Sequence, residues 1–203
     1  VVVSAVLQEK DRVLLQSAVE TFREQASTGA QPMPQPADLR YADALSACLV
    51  GLLDTLTIRD IPDPHTRREV LHAAAGLFSH APQQTREIED ALARREALGD
   101  TYIPPLRAHL LHCKTNAVDG CRLGYLRLPH PVMAEGREML GAMVMLAPDR
   151  PEPVWQRVMQ EVSAVLIDRP ALIEALRAGD REQAARLLET DLSLRFRREL
   201  TGV

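Results

Sequence analysis

GAMVMLA, residues 141–147, is the stretch on which the fold turns. No residue in it is charged, and the apolar character does not alternate. A strand with one wet face alternates, so a run like this reads as a central strand covered on both sides. Working outward, residues 110–113 and 123–128 read as further strands. Downstream, Trp155, Val158, Met159, Val162, Val165 and Leu166 recur at the spacing of an amphipathic helix. Helices over 170–178 and 180–188 follow, with a last helical segment over 192–200. Upstream, 42–53 is an apolar helix, and Thr57-Ile58-Arg59-Asp60-Ile61 is β-branched enough for a strand or an extended loop. Thr66 and Glu69 form a capping-box pattern. The helix behind them presents Val70, Ala74, Leu77 and Phe78 on one stripe, and a helix over 82–98 stops at Gly99. Strands and helices intermingled in this way predict an α/β sandwich.

The amino-terminal region has a different character. Residues 1–6 read as a short strand, and 8–25 as a helix with Val13, Leu14, Ala18 and Phe22 at helical spacing. Gly29, Pro32, Pro34 and Pro36 then mark a linker over 26–38. The chain begins Val1-Val2-Val3 without an initiator Met, so it is expected to be cut from a longer protein.

The chain has 203 residues, 46% of them apolar and 26% charged with both signs mixed, enough for one domain with a real core and an appendage. Its net charge of -4 argues against nucleic acid as a direct partner. No apolar run approaches the roughly 20 residues of a membrane helix, and no signal segment is evident. Three cysteines, Cys48, Cys113 and Cys121, suit a reducing cytoplasm better than a disulfide framework.

Chemistry must come from few residues. Of the histidines, His65 and His80 sit near helix ends, and His130 lies between Pro129 and Pro131 in an expected turn. His112 has a more informative setting. It ends a short strand and begins the polar turn Cys113-Lys114-Thr115-Asn116, where the sheet would hold it yet leave it open. Lys114 and Arg107 place positive charge nearby in sequence, as a phosphoryl group would require. Arg95 shares a helical face with Ile88 and Leu92. Two readings of it stand: a guanidinium that snorkels to solvent, or one aimed at an anion in a cleft. A zinc site from His109, His112, Cys113 and Cys121 is disfavoured, because His109 and His112 point to opposite faces of a strand and no Cys-x-x-Cys exists. No metal and no cofactor is expected. Nucleophile elbows, P-loops and His-Glu-x-x-His are absent from the sequence.

RAHLLHCKTNAV, residues 107–118, resembles the phosphorylation segment of phosphotransferase-system enzyme IIA domains of the mannitol/fructose type. ARREALGDTY (93–102), LGYLRLPHPV (123–132), the segment 143–168 and LIEALRAGDREQAARLLE (172–189) follow the family's order of elements, so the resemblance covers roughly 42–194. It implies an α/β fold with a mixed β-sheet flanked by helices. It implies His112 as phosphoryl acceptor and Arg95 as the anion-stabilising arginine. It implies the phosphocarrier protein or an enzyme IIB as partner.

The sequence also departs from the family pattern. Ile103-Pro104-Pro105-Leu106-Arg107 replaces a Gly-rich turn, Leu111 stands where Pro precedes the active histidine, and Trp155 aligns with a second histidine. These losses point to a domain that senses phosphorylation, or merely docks without being phosphorylated, rather than a transport component that carries flux. Residues 1–25 are similar to the end of an enzyme IIB-like domain, with 26–41 as linker and 42–203 as the enzyme IIA-like domain. The expected context is the C-terminal part of a mannitol-activator-like transcriptional regulator, whose own neighbouring domains are partners and in which a homodimer is compatible. His112 and Arg95 are expected to face one cleft, with His112 reachable from solvent and Trp155 on the wall.

Overall fold

The computed structural model describes residues 36–99, 101–134, 136–150 and 154–201. The expected strand over 1–6, the helix over 8–25 and most of the linker lie outside them. The first described element, α1 (Pro36–Thr55), begins earlier than the expected start at residue 42. Its first residue is a proline, whose missing N–H would have no acceptor in the first turn in any case. The last proline of the linker-like stretch therefore opens a helix.

The remaining elements are β1 (Thr57–Asp60), α2 (Arg67–Ala75), α3 (Pro82–Glu96), β2 (Tyr102–Ile103), β3 (Ala108–Thr115), β4 (Arg122–Ala134), β5 (Arg137–Pro148), α4 (Val154–Asp168), α5 (Pro170–Ala178) and α6 (Arg181–Thr201). The sheet has the order β1-β4-β5-β3-β2. It is mixed: β5 runs antiparallel to β4 and parallel to β3, β1 is parallel to β4, and β2 is antiparallel to β3. The central strand is the one the apolar run marked. Met143 and Met145 enter a core with α1, α4, α5 and α6, whereas Val144 and Leu146 enter a second core under α2 and α3. All four side chains are fully buried. Each such burial contributes about 1.5–3 kcal/mol, so the sheet is held from both faces.

Close approach shapes the centre of the sheet at one glycine. A Cβ on Gly141 would lie 2.3 Å from the Tyr125 hydroxyl oxygen, so the phenol ring rests over a bare Cα. That hydroxyl is buried without a hydrogen-bond partner among the described residues, and burial pushes its pKa up to about 12.

Local signals hold where they were strong. The Thr66 side chain accepts the Glu69 N–H at 3.3 Å, and Glu69 Oε2 accepts the N–H groups of Thr66 and His65 at 2.9 and 2.7 Å. Differences appear where tertiary pairing extends or joins elements. The expected helices over 180–188 and 192–200 are one helix, α6. Asp180 Oδ1 accepts the Gln183 N–H at 2.9 Å at its start, and Leu188, Leu192 and Phe196 carry one buried stripe through the expected break. The expected turn at Pro129-His130-Pro131 is part of β4. Its pairing with β5 shifts register between Arg127 and Val132, and prolines, which donate nothing to a ladder, are tolerated at such an irregularity.

Candidate functional site

Strand β3 carries the predicted acceptor. Ala108 and Leu110 pack in the larger core, and Leu111 and Cys113 in the smaller. By the period of two, His112 and Lys114 belong to the face of Leu110, and His109 to the other. His109 instead meets Tyr102 edge-on, with ring centroids 5.4 Å apart. The two histidines diverge as the sequence predicted, which removes the His109–His112 zinc arrangement.

His112 does not end the strand. Lys114 and Thr115 continue the pairing with Ala147 and Pro148 of β5, so the histidine lies inside β3. It is also not open: only 4% of the residue is exposed. The expectation of a solvent-reachable side chain is corrected by the three further paired residues and by the layer packed on that face.

The ring has a defined orientation. His112 Nδ1 lies 3.1 Å from the Leu110 carbonyl oxygen. A carbonyl only accepts, so Nδ1 carries the hydrogen and Nε2 keeps the lone pair. Nε2 has no hydrogen-bond partner among the described residues. The Leu110 N–H donates to the Thr101 carbonyl at 2.7 Å, on the side of β2. The N–H and C=O of one strand residue share a side, so the ring turns toward that edge too. Strand β2 pairs only with Ala108 and His109, and among the described residues no strand covers the edge beyond them. Burial lowers the His112 pKa below its usual value of 6.5, the Leu110 hydrogen bond works against this, and the charge of Arg95 adds to the lowering.

Arg95 therefore acts electrostatically on His112, although its helix α3 packs on the Leu111 and Cys113 face of the sheet and the ring belongs to the Leu110 face. Arg95 is half-buried, and its Nη1 donates to the Gly99 carbonyl at 2.9 Å. It is not on the core stripe. That stripe runs Ile88, Ala91, Leu92 and Glu96, so Arg95 stands on its shoulder. The buried charge is Glu96, which pairs with Arg67 of α2 and ties the two helices of the smaller layer. Sequence reading missed this pair: the stripe was continued to position 95 when its next member is 96.

Other candidates separate. Arg107 has φ 49° and pairs with Glu138 at the start of the β3–β5 ladder, five residues and roughly 16 Å of strand from His112. Lys114 shares the His112 face and donates to the Arg150 carbonyl at 3.4 Å. Trp155 is buried in the larger core and lines a cavity with Cys48, Cys121, Ala147 and Arg150. Neither His112 nor Arg95 is among the residues lining that cavity, so the cavity at Trp155 is not the expected three-residue cleft. Cys113 is no competing nucleophile, because burial pushes its thiol up to about 12. The Leu110 carbonyl, which sets the tautomer, had no signal in the sequence, since every residue carries one.

Residues 52–191, more than half of the chain, match the family described as phosphoenolpyruvate-dependent sugar phosphotransferase system, EIIA 2. Among solved structures, nitrogen regulatory protein IIA-Ntr from Neisseria meningitidis is similar, with a TM-score of 0.53 at 16% identity over 67% of this chain and 94% of that one. That likeness concerns the fold. No curated protein matches the chain.

Proposed function

This chain belongs to the EIIA 2 family of the phosphoenolpyruvate-dependent sugar phosphotransferase system, and we propose that His112 accepts a phosphoryl group as a regulatory signal. The observation that carries the reading is the ring itself: Nδ1 is tied to the Leu110 carbonyl, which leaves the lone pair on Nε2, and the charge of Arg95 is felt at the ring. The lowered pKa keeps the imidazole neutral at pH 7, and only the neutral ring can attack phosphorus. The Nε2–phosphorus bond forms as the bond from phosphorus to the donor breaks, and the departing electron pair stays on the donor atom. Arg95, with Lys114 on the same strand face, offsets the negative charge of the arriving group. Positioning and charge of this kind are most of what phosphoryl transfer requires.

The donor or recipient is the phosphocarrier protein or an enzyme IIB, reaching the ring from the uncovered edge of β3 after a small opening movement. The context is a cytoplasmic, mannitol-activator-like transcriptional regulator, with this domain of the mannitol/fructose type signalling to its own neighbouring domains. What supports regulation over flux is Trp155, a buried apolar ring where the resemblance aligns a second histidine. A transport component would keep that second imidazole and the Gly-rich turn. No helix among the described residues is long and apolar enough to cross a membrane.

The test is incubation with enzyme I, phosphocarrier protein and phosphoenolpyruvate, read by intact mass. One phosphoryl group is expected in the wild type and in His109→Ala, and none in His112→Ala. Incorporation that survives His112→Ala but vanishes in His109→Ala overturns the assignment, and so does none in the wild type with competent donors. A helix-turn-helix segment encoded upstream in the full gene would support the regulator, and a transport domain there would oppose it.

A further inference from the structure

A second group of chemistry-bearing side chains meets at the other end of the sheet. Strand β1 ends at Asp60, and the chain passes through Ile61-Pro62-Asp63-Pro64-His65 into the cap of α2. Beside it, β4 presents His130 between Pro129 and Pro131 at its register shift. His65 Nε2 lies 3.4 Å from Asp63 Oδ2, and His130 Nε2 lies 3.4 Å from Asp63 Oδ1. The two imidazoles stack with centroids 5.7 Å apart and planes 30° from parallel. One ligand atom from each of the three residues falls within 4.8 Å of the others.

A good N–H···O bond spans about 2.7–3.2 Å, and both contacts exceed it. They run to different oxygens of the one carboxylate, and one ligand atom from each residue lies within 4.8 Å of the others, so a closure of about an ångström brings the three to the roughly 3.4 Å spacing that bonds of about 2.1 Å leave in a tetrahedron. The backbone also holds the three residues in place. Asp63 has φ 41° and a proline on either side, His130 likewise lies between prolines, and the His65 N–H is fixed to Glu69 Oε2 at 2.7 Å. Little backbone freedom is left to lose on binding. The Asp63 and His65 side chains are about 70% exposed, so a free ion has an open path.

We propose that Asp63, His65 and His130 form a binding site for a divalent transition-metal ion of the zinc class. Two imidazole nitrogens and one carboxylate oxygen are the ligands, and water fills the fourth position. Imidazole donors select zinc, cobalt or nickel over magnesium and calcium, which take oxygen ligands. The ion would fasten the loop after β1 to the irregular part of β4, on the sheet edge away from His112. The site is independent of the phosphoryl reading, since none of its residues serves it.

The experiment is titration of the full chain with Zn(II) by calorimetry and with Co(II) by absorption, on the wild type, the His65→Ala/His130→Ala double variant and Asp63→Asn. Expected are one equivalent of micromolar affinity in the wild type, Co(II) bands of nitrogen and oxygen ligation, and a loss of more than about tenfold in the double variant. The three side chains are on the surface, and unchanged circular dichroism will show that the variants fold. Affinity unchanged in the double variant, a thiolate-to-cobalt charge-transfer band, or no wild-type binding tighter than millimolar would each overturn the proposal.

Discussion

Inside β3, the His112 ring is buried and held by a backbone carbonyl, and the charge of Arg95 reaches it. At the opposite end of the sheet, the exposed His65 ring and the half-buried His130 ring converge on the carboxylate of Asp63. The residue type is the same, and its surroundings decide what it can do. A ring whose pKa is lowered, which feels a cation and keeps one lone pair, suits an electrophile that brings negative charge. Two rings around a carboxylate suit a positive ion. Burial adds a second difference: the His112 tautomer is set by the fold, whereas the more open rings of His65 and His130 are free to be set by whatever binds.

The largest expected effect comes from inverting the charge at the first site. Arg95→Glu should slow phosphoryl incorporation by about 10²–10³-fold, the scale of losing one pre-placed charge-stabilising group, with circular dichroism unchanged. A rate near that of the wild type would remove Arg95 from the site. The next effect is in pH. Folded His112 stays neutral below 6.5, where the unfolded chain takes up its proton. The stability this contributes is present above pH 6.5 and is lost as pH falls toward the lower folded value. Urea midpoints should therefore drop through that window, and His112→Leu should flatten the drop. Arg95→Gln removes one cause of the lowering, so the acid limb of the incorporation rate should move to higher pH. An unmoved limb would show that burial acts alone.

A smaller effect is expected at the second site. Saturating Zn(II), at about 100 times its dissociation constant, should stabilise by about 2.7 kcal/mol and raise Tm by several degrees in the wild type but not in His65→Ala/His130→Ala. The smallest effect sharpens the separation of the two ends. The same double variant should leave phosphoryl incorporation within about twofold, because distant sites without shared partners act additively. A larger change would mean that the two ends are coupled.

Much of the scaffold could be read in the sequence because its causes are local or periodic. The Thr66–Glu69 box depends on four consecutive residues and formed as expected. The run over 141–147 could be placed in the middle of a sheet because only a strand covered on both faces tolerates it. Extents were less legible. Strand β4 runs through two prolines because β5 supplies a register shift there, and α6 bridges an expected break because its buried stripe continues to Phe196. At the candidate site, the resemblance pointed to His112 and Arg95, but it did not carry their setting. Arg95 was read as lying on the core stripe, which Glu96 occupies, and His112 was expected to be open and is enclosed.

By itself the sequence determined the α/β class, the central strand, the Thr66–Glu69 cap and the opposite facing of His109 and His112, whereas the helix expected to stop at Gly99 ends at Glu96. The features it determined follow from spacing along one element and from short-range hydrogen bonds. Tertiary structure alone decided which nitrogen of His112 holds its proton, how deep the ring lies, and that Asp63 and His65 meet His130. Those outcomes depend on strands brought together from distant parts of the chain and on the water their packing excludes. Neither quantity is carried by any single segment.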